Sequence, residues 1–452
     1  MPHFLHPQTI DDTKEFTLAE AHRAVLTLIR QVTNRSRDEC VALPGIVGLD
    51  ELIRRLVTAF LIGEHCLIEG MPGLVKTELS KTLASMLGLV FRRIQFTSDI
   101  LPSDLIGREQ LMNETEDGTA RVRWQPGPIF TNILLADEIN RASPKVQSAL
   151  LEACEERQVT PMGRRTVRIR PTGQVDEQKI IAESGCYGFA MAKSCPPESD
   201  RHLAPERLQH FMVLATMNPI ELEGVFPLSE AQVDRFGFKL LVDYPAHEHL
   251  RKIQAHAFEH VRVTEPHRPD EHRRTLYFLA ALRDKLLGAE RESRWMHEGN
   301  KVREDCELLV NFTHLRRIGR DEDTDLGDLA EAPSAKHEEL SGIIVSWLTS
   351  GDPGNRERAR RLQHWRAASD YPDVRNGASP RGLLKLVRAV HAEAFLDGSF
   401  DGETLRPQWK HVLRVAPDVL RHRVRLSGAL AGPDADIAHF IGRLAEVLHV
   451  DR

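Results

Sequence analysis

Cysteine is scarce in this chain, with six in 452 residues: Cys40, Cys66, Cys154, Cys186, Cys195 and Cys306. Thiols so few and so far apart make no disulfide framework; they read as reduced, with the cytoplasm as the expected setting. A charge excess of one sign is also lacking, since 60 Lys plus Arg stand against 66 Asp plus Glu. That balance gives no electrostatic reason to expect nucleic acid or an anionic membrane as partner. No window approaches about 18 uninterrupted apolar residues, and Met1–Asp12 has no basic start followed by an apolar run, so neither membrane insertion nor secretion is supported. Internal repeats are absent as well. Cys186 and Cys195 with His202 and His210 have ligand types that zinc favours, but they are spaced too widely for a finger or knuckle and read as dispersed loop residues.

What is present fills more than one core. A chain of this length with 41% hydrophobic residues is expected to form two or three packed units. After an N-terminal helical segment, residues 1–40, the stretch 41–244 alternates short apolar runs with amphipathic stretches, the rhythm of an α/β unit with a parallel sheet covered by helices. Buried strands are expected at Cys66–Glu69, Val90–Gln95, Asn132–Ala136, Phe211–Thr216 and Phe238–Val242. A helix is expected from Ser143 to about Gln158, with Pro144 in its first turn and Val146, Ala149, Leu150 and Ala153 on one face. Gln110–Trp124 reads as two arms about Asp117 and Gly118, either a hairpin projecting from the sheet or a plain surface loop. From 245 to 452 helical periods dominate, as at Leu276–Leu287, Arg381–Phe395 and Pro433–His449. Residues 172–206 and about 300–355 break the pattern and read as insertions or loops. The arginine-rich stretch 356–366 reads as a solvated helix face.

Chemistry gathers at strand ends in the α/β unit. Gly70-Met-Pro72-Gly73-Leu74-Val75-Lys76-Thr77 follows an apolar strand and opens a helix with Leu79, Leu83 and Met86 on one side. A glycine-bearing turn lets backbone N–H groups approach phosphates, and the helix N-terminus adds its positive dipole. Lys76 would neutralise the β and γ phosphates, and Thr77 would ligate Mg²⁺. Val75 stands where glycine usually precedes the lysine. The strand Ile133-Leu-Leu-Ala ends in Asp137 and Glu138, placing two acids where parallel sheets bind ligands. Asp137 would hold the metal shell, and Glu138 would polarise the attacking water as general base. Asn218 ends a third buried strand, where it could orient that water or simply begin a turn with Pro219.

The chain resembles the MoxR family of AAA+ ATPases over most of Ile46–Leu426. The likeness is carried by Ile46-Val47-Gly48, the P-loop, Ile94-Gln-Phe-Thr, Leu101-Pro-Ser-Asp104, Gln125-Pro-Gly-Pro-Ile-Phe130 and Leu134–Ala142. It continues through Gln147–Glu152, Asn218–Gly224, Leu228–Phe236, Gly377–Arg381 and Ala416–His422. The resemblance implies a P-loop AAA+ sheet with helices on both faces, a hairpin inserted in its second helix, and an all-α lid domain. It implies ATP and Mg²⁺ as cofactors, Ile46, Val47 and Gly48 lining the adenine pocket, and a phosphate loop running from Gly70 to Glu78. Asn218 would be a sensor of nucleotide state. Arg235 would be an arginine finger reaching the neighbouring protomer's nucleotide, and Arg381 a second sensor on its own protomer. The family also implies a homo-oligomeric ring, read here as a hexamer, that remodels client proteins, often with a von Willebrand factor A domain partner. A nucleotide switch with little turnover is favoured only by Val75. A DNA-associated motor is opposed by the near-neutral charge and by the lack of a helix-turn-helix or zinc module. A chelatase-like subunit is a further alternative.

Overall fold

The computed structural model describes residues 16–32, 50–70, 89–112, 121–156, 158–159, 167–168, 211–218, 225–242, 269–287, 301–314, 335–368, 373–427 and 434–449. Ile46–Gly48, Pro72–Glu78, the hairpin tip and the region 172–206 with Cys186, Cys195 and His202 lie outside the described residues, as does His210. The chain forms two compact units, Met1–Phe236 with Leu240–Leu286, and Gly237–Lys239 with Leu287–Arg452.

In the first unit, helix α1 spans Leu18–Val32. Thr17 and Glu20 cap it reciprocally: the Glu20 amide donates to Thr17 Oγ1 at 3.2 Å and the Thr17 amide to Glu20 Oε2 at 2.8 Å. Leu18, Ala21, Val25 and Leu28 fall on one stripe and are all buried. Helix α2 (Asp50–Ile62) leads into strand β1 (Cys66–Gly70), and β2 is Phe91–Gln95. A short helix α3 (Pro102–Ile106) precedes β3 (Gly107–Met112), which pairs antiparallel with β4 (Arg121–Pro126) from Gly107↔Pro126 to Met112↔Arg121. This is the expected hairpin, with arms longer than the sequence suggested. Its base is tight: a Cβ on Gly127 would lie 2.2 Å from the Leu105 carbonyl oxygen, so only glycine fits.

Strand β5 (Ile133–Asp137), helix α4 (Pro144–Glu156), the short pair β6 (Gln158–Val159) and β7 (Val167–Arg168), strand β8 (Met212–Met217), helix α5 (Glu230–Val233), strand β9 (Phe238–Val242) and helix α6 (Pro269–Leu287) follow. The main sheet has the order β2-β5-β8-β1-β9. The β2–β5, β5–β8 and β1–β8 pairs are parallel, with Gln95 level with Asp137, Ala136 with Ala215 and Glu69 with Met217. All four strands therefore end at one edge. Leu134, Ala136, Val213 and Ala215 pack with Val146, Leu150 and Phe236 in the apolar core. Buried His65 pins the layers: its Nε2–H donates to the Cys154 carbonyl at 2.9 Å, and its Nδ1 accepts from the Val213 amide at 2.9 Å. Helix α6, expected to open the helical second half, belongs to the first unit, where Phe278 meets Phe16 with ring centroids 5.0 Å apart.

The second unit is helical: α7 (Lys301–Phe312), α8 (Ala335–Thr349), α9 (Pro353–Arg366), α10 (Pro380–Leu396), α11 (Trp409–Leu420) and α12 (Asp434–Leu448). Two small antiparallel pairs accompany them, β10 (Asp373–Asn376) with β13 (Arg425–Ser427), and β11 (Phe400–Asp401) with β12 (Thr404–Leu405). Much of 300–355, expected to be an insertion or loop, is helix. The missed signal was the i, i+4, i+7 spacing of Val302, Cys306 and Leu309, all buried. The arginine stretch also departs from a solvated face. Arg358 and Arg366 are only 8% and 6% exposed. Arg358 Nε donates to the Leu448 carbonyl at 2.8 Å and Arg361 Nη1 to the His449 carbonyl at 3.1 Å, capping the orphan acceptors at the end of α12. Among the described residues no helix is long and apolar enough to cross a membrane.

His391 gives this unit a pH dependence. It is buried in α10 and donates Nδ1–H to the Val387 carbonyl at 2.7 Å. Burial lowers its pKa from the ordinary 6.5 to about 4; the Val387 contact opposes the shift and His411 adds to it. Between those values the unfolded chain binds the proton and the folded chain does not, so stability falls as pH drops through that window, by up to about 1.4 kcal/mol per pH unit. We expect the urea midpoint, read by tryptophan fluorescence, to drop between pH 7 and pH 5 more in the wild type than in His391→Leu. Equal drops would remove His391 as the cause.

Candidate active site

The carboxyl edge of the sheet is built by register. β5 is apolar and fully buried until Asp137, where the chain leaves the core and the side chain is 17% exposed. β8 delivers Thr216 to the same level, and its hydroxyl donates to Asp137 Oδ1 at 2.5 Å. The Thr216 Oγ1 in turn accepts the Glu138 amide at 3.0 Å. One buried hydroxyl thus joins two strands and both acids. Glu138 adopts φ 57°, ψ 50°, and it is the single non-glycine residue with positive φ among the described residues. Left-handed backbone at a glutamate costs energy and turns the chain sharply off the strand end, and such strain gathers at functional sites.

Each acid of this edge is met by an arginine of its own chain. Arg93, on edge strand β2, places Nη2 at 2.7 Å and Nε at 3.2 Å from Asp137 Oδ2. Glu138 Oε2 lies 3.1 Å from Arg141 Nε, one turn along. Arg235 follows α5, whose cap Ser229 donates its amide to Gln232 Oε1 at 2.7 Å. Phe236 is buried in the core, and Arg235 pairs with Glu155 of α4 at 2.9 Å, both side chains one-third exposed (33% each).

Asn218 stands one residue past β8, half-buried, with its carbonyl 3.5 Å from Asn140 Nδ2. Gln147 Nε2 donates to the Phe226 carbonyl at 2.9 Å and to the Ile139 carbonyl at 3.3 Å, and the Phe226 amide donates to the Asn140 carbonyl at 2.6 Å. These bonds fasten the segment after β8 to the turn carrying Glu138. Asn140 Oδ1 is buried there without a hydrogen-bond partner. Gly70 ends β1, next in line after Glu69, which is level with Met217. A Cβ at residue 70 would lie 2.4 Å from the Val242 carbonyl oxygen of β9, so close approach of that strand demands glycine where the loop begins.

Gly70, Asp137, Glu138 and Asn218 therefore share one edge, while Arg235 lies against Glu155 and Arg381 belongs to the other unit. Ser379 caps α10, accepting from the Gly382 amide at 3.3 Å, with Pro380 next and Arg381 exposed in the first turn. The Ala378 amide donates to Thr313 Oγ1 at 2.8 Å and its carbonyl accepts from His314 Nε2 at 3.0 Å, which fixes the approach to that turn. Sequence reasoning missed Thr216, Arg93, Arg141 and Glu155. Thr216 and Arg93 each lie one or two residues before a strand end, and only the cross-strand register reveals what they face.

The sheet order, with an acidic pair ending the strand beside β8 and a glycine loop starting from β1, defines the P-loop AAA+ class. A family model described as the ATPase family associated with various cellular activities (AAA) matches residues 65–196 and 198–238, and an AAA lid domain model matches 366–439. The chain is 40% identical over 383 residues to Chaperone MoxR1 of Mycobacterium tuberculosis, covering 84% of this chain and 73% of that protein. It is 28% identical over 408 residues to Protein MoxR of Methylorubrum extorquens, covering 89% and 90%. A solved structure of a candidate ATPase from Cytophaga hutchinsonii matches with TM-score 0.57 at 26% identity, over 94% of both chains. The chain belongs to the MoxR family of AAA+ ATPases.

Replacing Thr216 with Val keeps its shape but removes the donor to Asp137 and the acceptor of the Glu138 amide. An expected loss of about 1–2 kcal/mol in unfolding free energy follows from leaving these groups unpaired. Thr216→Ser should recover most of it. Val and Ser variants of equal stability would show that the hydroxyl contributes nothing.

Proposed function

We propose that this chain hydrolyses ATP in a homo-oligomeric ring, a hexamer, and uses the energy to remodel client proteins. The observation that carries this reading is the pair Asp137 and Glu138 at the end of β5, level with the start of the glycine loop on β1. Gly70–Glu78 would cradle the phosphates, with Lys76 neutralising the β and γ groups, and Ile46, Val47 and Gly48 would line the adenine. The donors suit magnesium: a hard carboxylate oxygen on Asp137, which already faces a cation, and the Thr77 hydroxyl. When bound, magnesium would offset charge on the β and γ phosphates. Glu138 would take the proton of the attacking water, and Asn218 would orient that water. Arg235, one-third exposed and paired with Glu155 at 2.9 Å, could exchange that partner for a neighbouring protomer's γ-phosphate. Arg381, in a capped first turn, would report the nucleotide to the lid of its own protomer.

The client role rests on the relative named a chaperone; a von Willebrand factor A domain protein is a fitting partner, and the cytoplasm a fitting setting. The segmentation proposed is 1–40, 41–244 and 245–452, with α6 of the last segment packed into the first unit and the hairpin facing the ring's opening.

Two measurements test it. Mg²⁺-dependent phosphate release should fall about 10²- to 10⁴-fold in Glu138→Gln, the scale of a lost general base; equal rates would sink the assigned base. In an assembled preparation, Arg235→Ala should lose turnover by about 10³-fold or more, as loss of an arginine finger does. Full turnover in that variant would refute hydrolysis at protomer interfaces.

A further inference from the structure

We propose that Arg93 is an intramolecular counter-ion that competes with a divalent cation for Asp137, and so sets the magnesium concentration at which nucleotide binds. The inference rests on the nucleotide site described above and assigns to it a residue that motif reasoning gives no role.

Asp137 has two oxygens, and each is engaged differently. Oδ1 accepts the Thr216 hydroxyl at 2.5 Å, a bond internal to the sheet that joins β5 to β8. Oδ2 receives the Arg93 guanidinium twice, from Nη2 at 2.7 Å and from Nε at 3.2 Å. Oδ2 is thus the oxygen left for a metal shell, and a cation already touches it. A magnesium ion needs oxygen contacts of about 2.0–2.1 Å in near-octahedral array. A guanidinium at hydrogen-bond distance from the same oxygen crowds that array and repels the ion as a like charge.

Gln95 shares the Arg93 guanidinium with Asp137. Residues 93 and 95 lie on the same face of β2, and Gln95 is level with Asp137. Arg93 Nη2 also donates to Gln95 Oε1 at 2.8 Å. Gln95 is a neutral acceptor, so it can retain the guanidinium at the strand edge without holding it against a metal. The Arg93 side chain is 45% exposed on an edge strand, so water can also satisfy its donors once it leaves Asp137. A partly exposed ion pair of this kind is weak, and weakness suits a group that must yield.

The test is a Mg²⁺ titration of binding by a non-hydrolysable ATP analogue, followed calorimetrically on the full chain, for the wild type, Arg93→Gln and Arg93→Lys, with melting curves to verify folding. Arg93→Gln should reach half-maximal binding at roughly five-fold lower Mg²⁺, the scale of losing one partly exposed ion pair. Arg93→Lys, which keeps the charge without the fork, should shift less. If the wild type binds the analogue and Arg93→Gln needs as much Mg²⁺ or more, the counter-ion role is overturned while the nucleotide site stands. If no variant binds the analogue with or without Mg²⁺, wild type included, the nucleotide reading falls and this one with it.

Discussion

The Thr216 hydroxyl is the joint on which the site depends. It donates to Asp137 and accepts from the Glu138 amide, and so fixes two acids of β5 to the neighbouring strand in one step. Its position follows from the parallel register of β5 and β8, and that register follows from burial on both faces of the sheet. A slip by one residue would turn Asp137 into the core, where an unpaired carboxylate costs several kcal/mol. The same constraint forces the chain to turn at once after the strand. Glu138 takes the left-handed conformation because residue 139 must dive back into the core, where Ile139 is fully buried.

The second unit shows the opposite strategy. Several of its polar groups are met by arginines and by histidines kept neutral through burial. Asp397, at the end of α10, meets Lys410 at 2.6 Å, Arg414 at 2.8 Å and His411 at 3.2 Å, all from α11, and these contacts hold its carboxyl well below the usual range against the opposing effect of burial. His411 receives the Gln408 amide on Nδ1 at 2.8 Å, so its Nε2 carries the proton shared with Asp397. This cluster fixes the corner between two helices. It lies at the C-terminal end of the helix whose first turn presents Arg381.

Much of this was legible from the chain alone because burial on both faces writes short apolar runs, and because acids and glycines at strand ends are conspicuous. All five strands of the main sheet lie within a residue or so of their expected bounds, and the helix beginning at Pro144 ends two residues early. The misreadings have physical causes. Arg358 and Arg366 looked solvated because arginine usually is; Arg358 is buried against the Leu448 carbonyl of α12, far away in sequence. Residues 301–312 looked irregular because charged residues surround a narrow apolar stripe. Thr216 and Arg93 carried no local signal, since a threonine or arginine in a strand is unremarkable until its cross-strand neighbour is known.

Three ion pairs now take on a common meaning under the proposed function. Asp137 is held by Arg93, Glu138 by Arg141, and Arg235 by Glu155, all within one chain. Each pair joins a group the reaction would need to a partner the reaction would not. All are partly exposed, so each is weak enough to exchange at small cost. Re-pairing would have to be concerted: a metal ion for Arg93, a water for Arg141, a neighbour's phosphate for Glu155. The metal ion would come with nucleotide, and the phosphate with nucleotide and a second copy of the chain together. On this argument the isolated protomer neutralises its own site, and turnover becomes conditional on nucleotide and assembly together, because neither alone supplies all three partners.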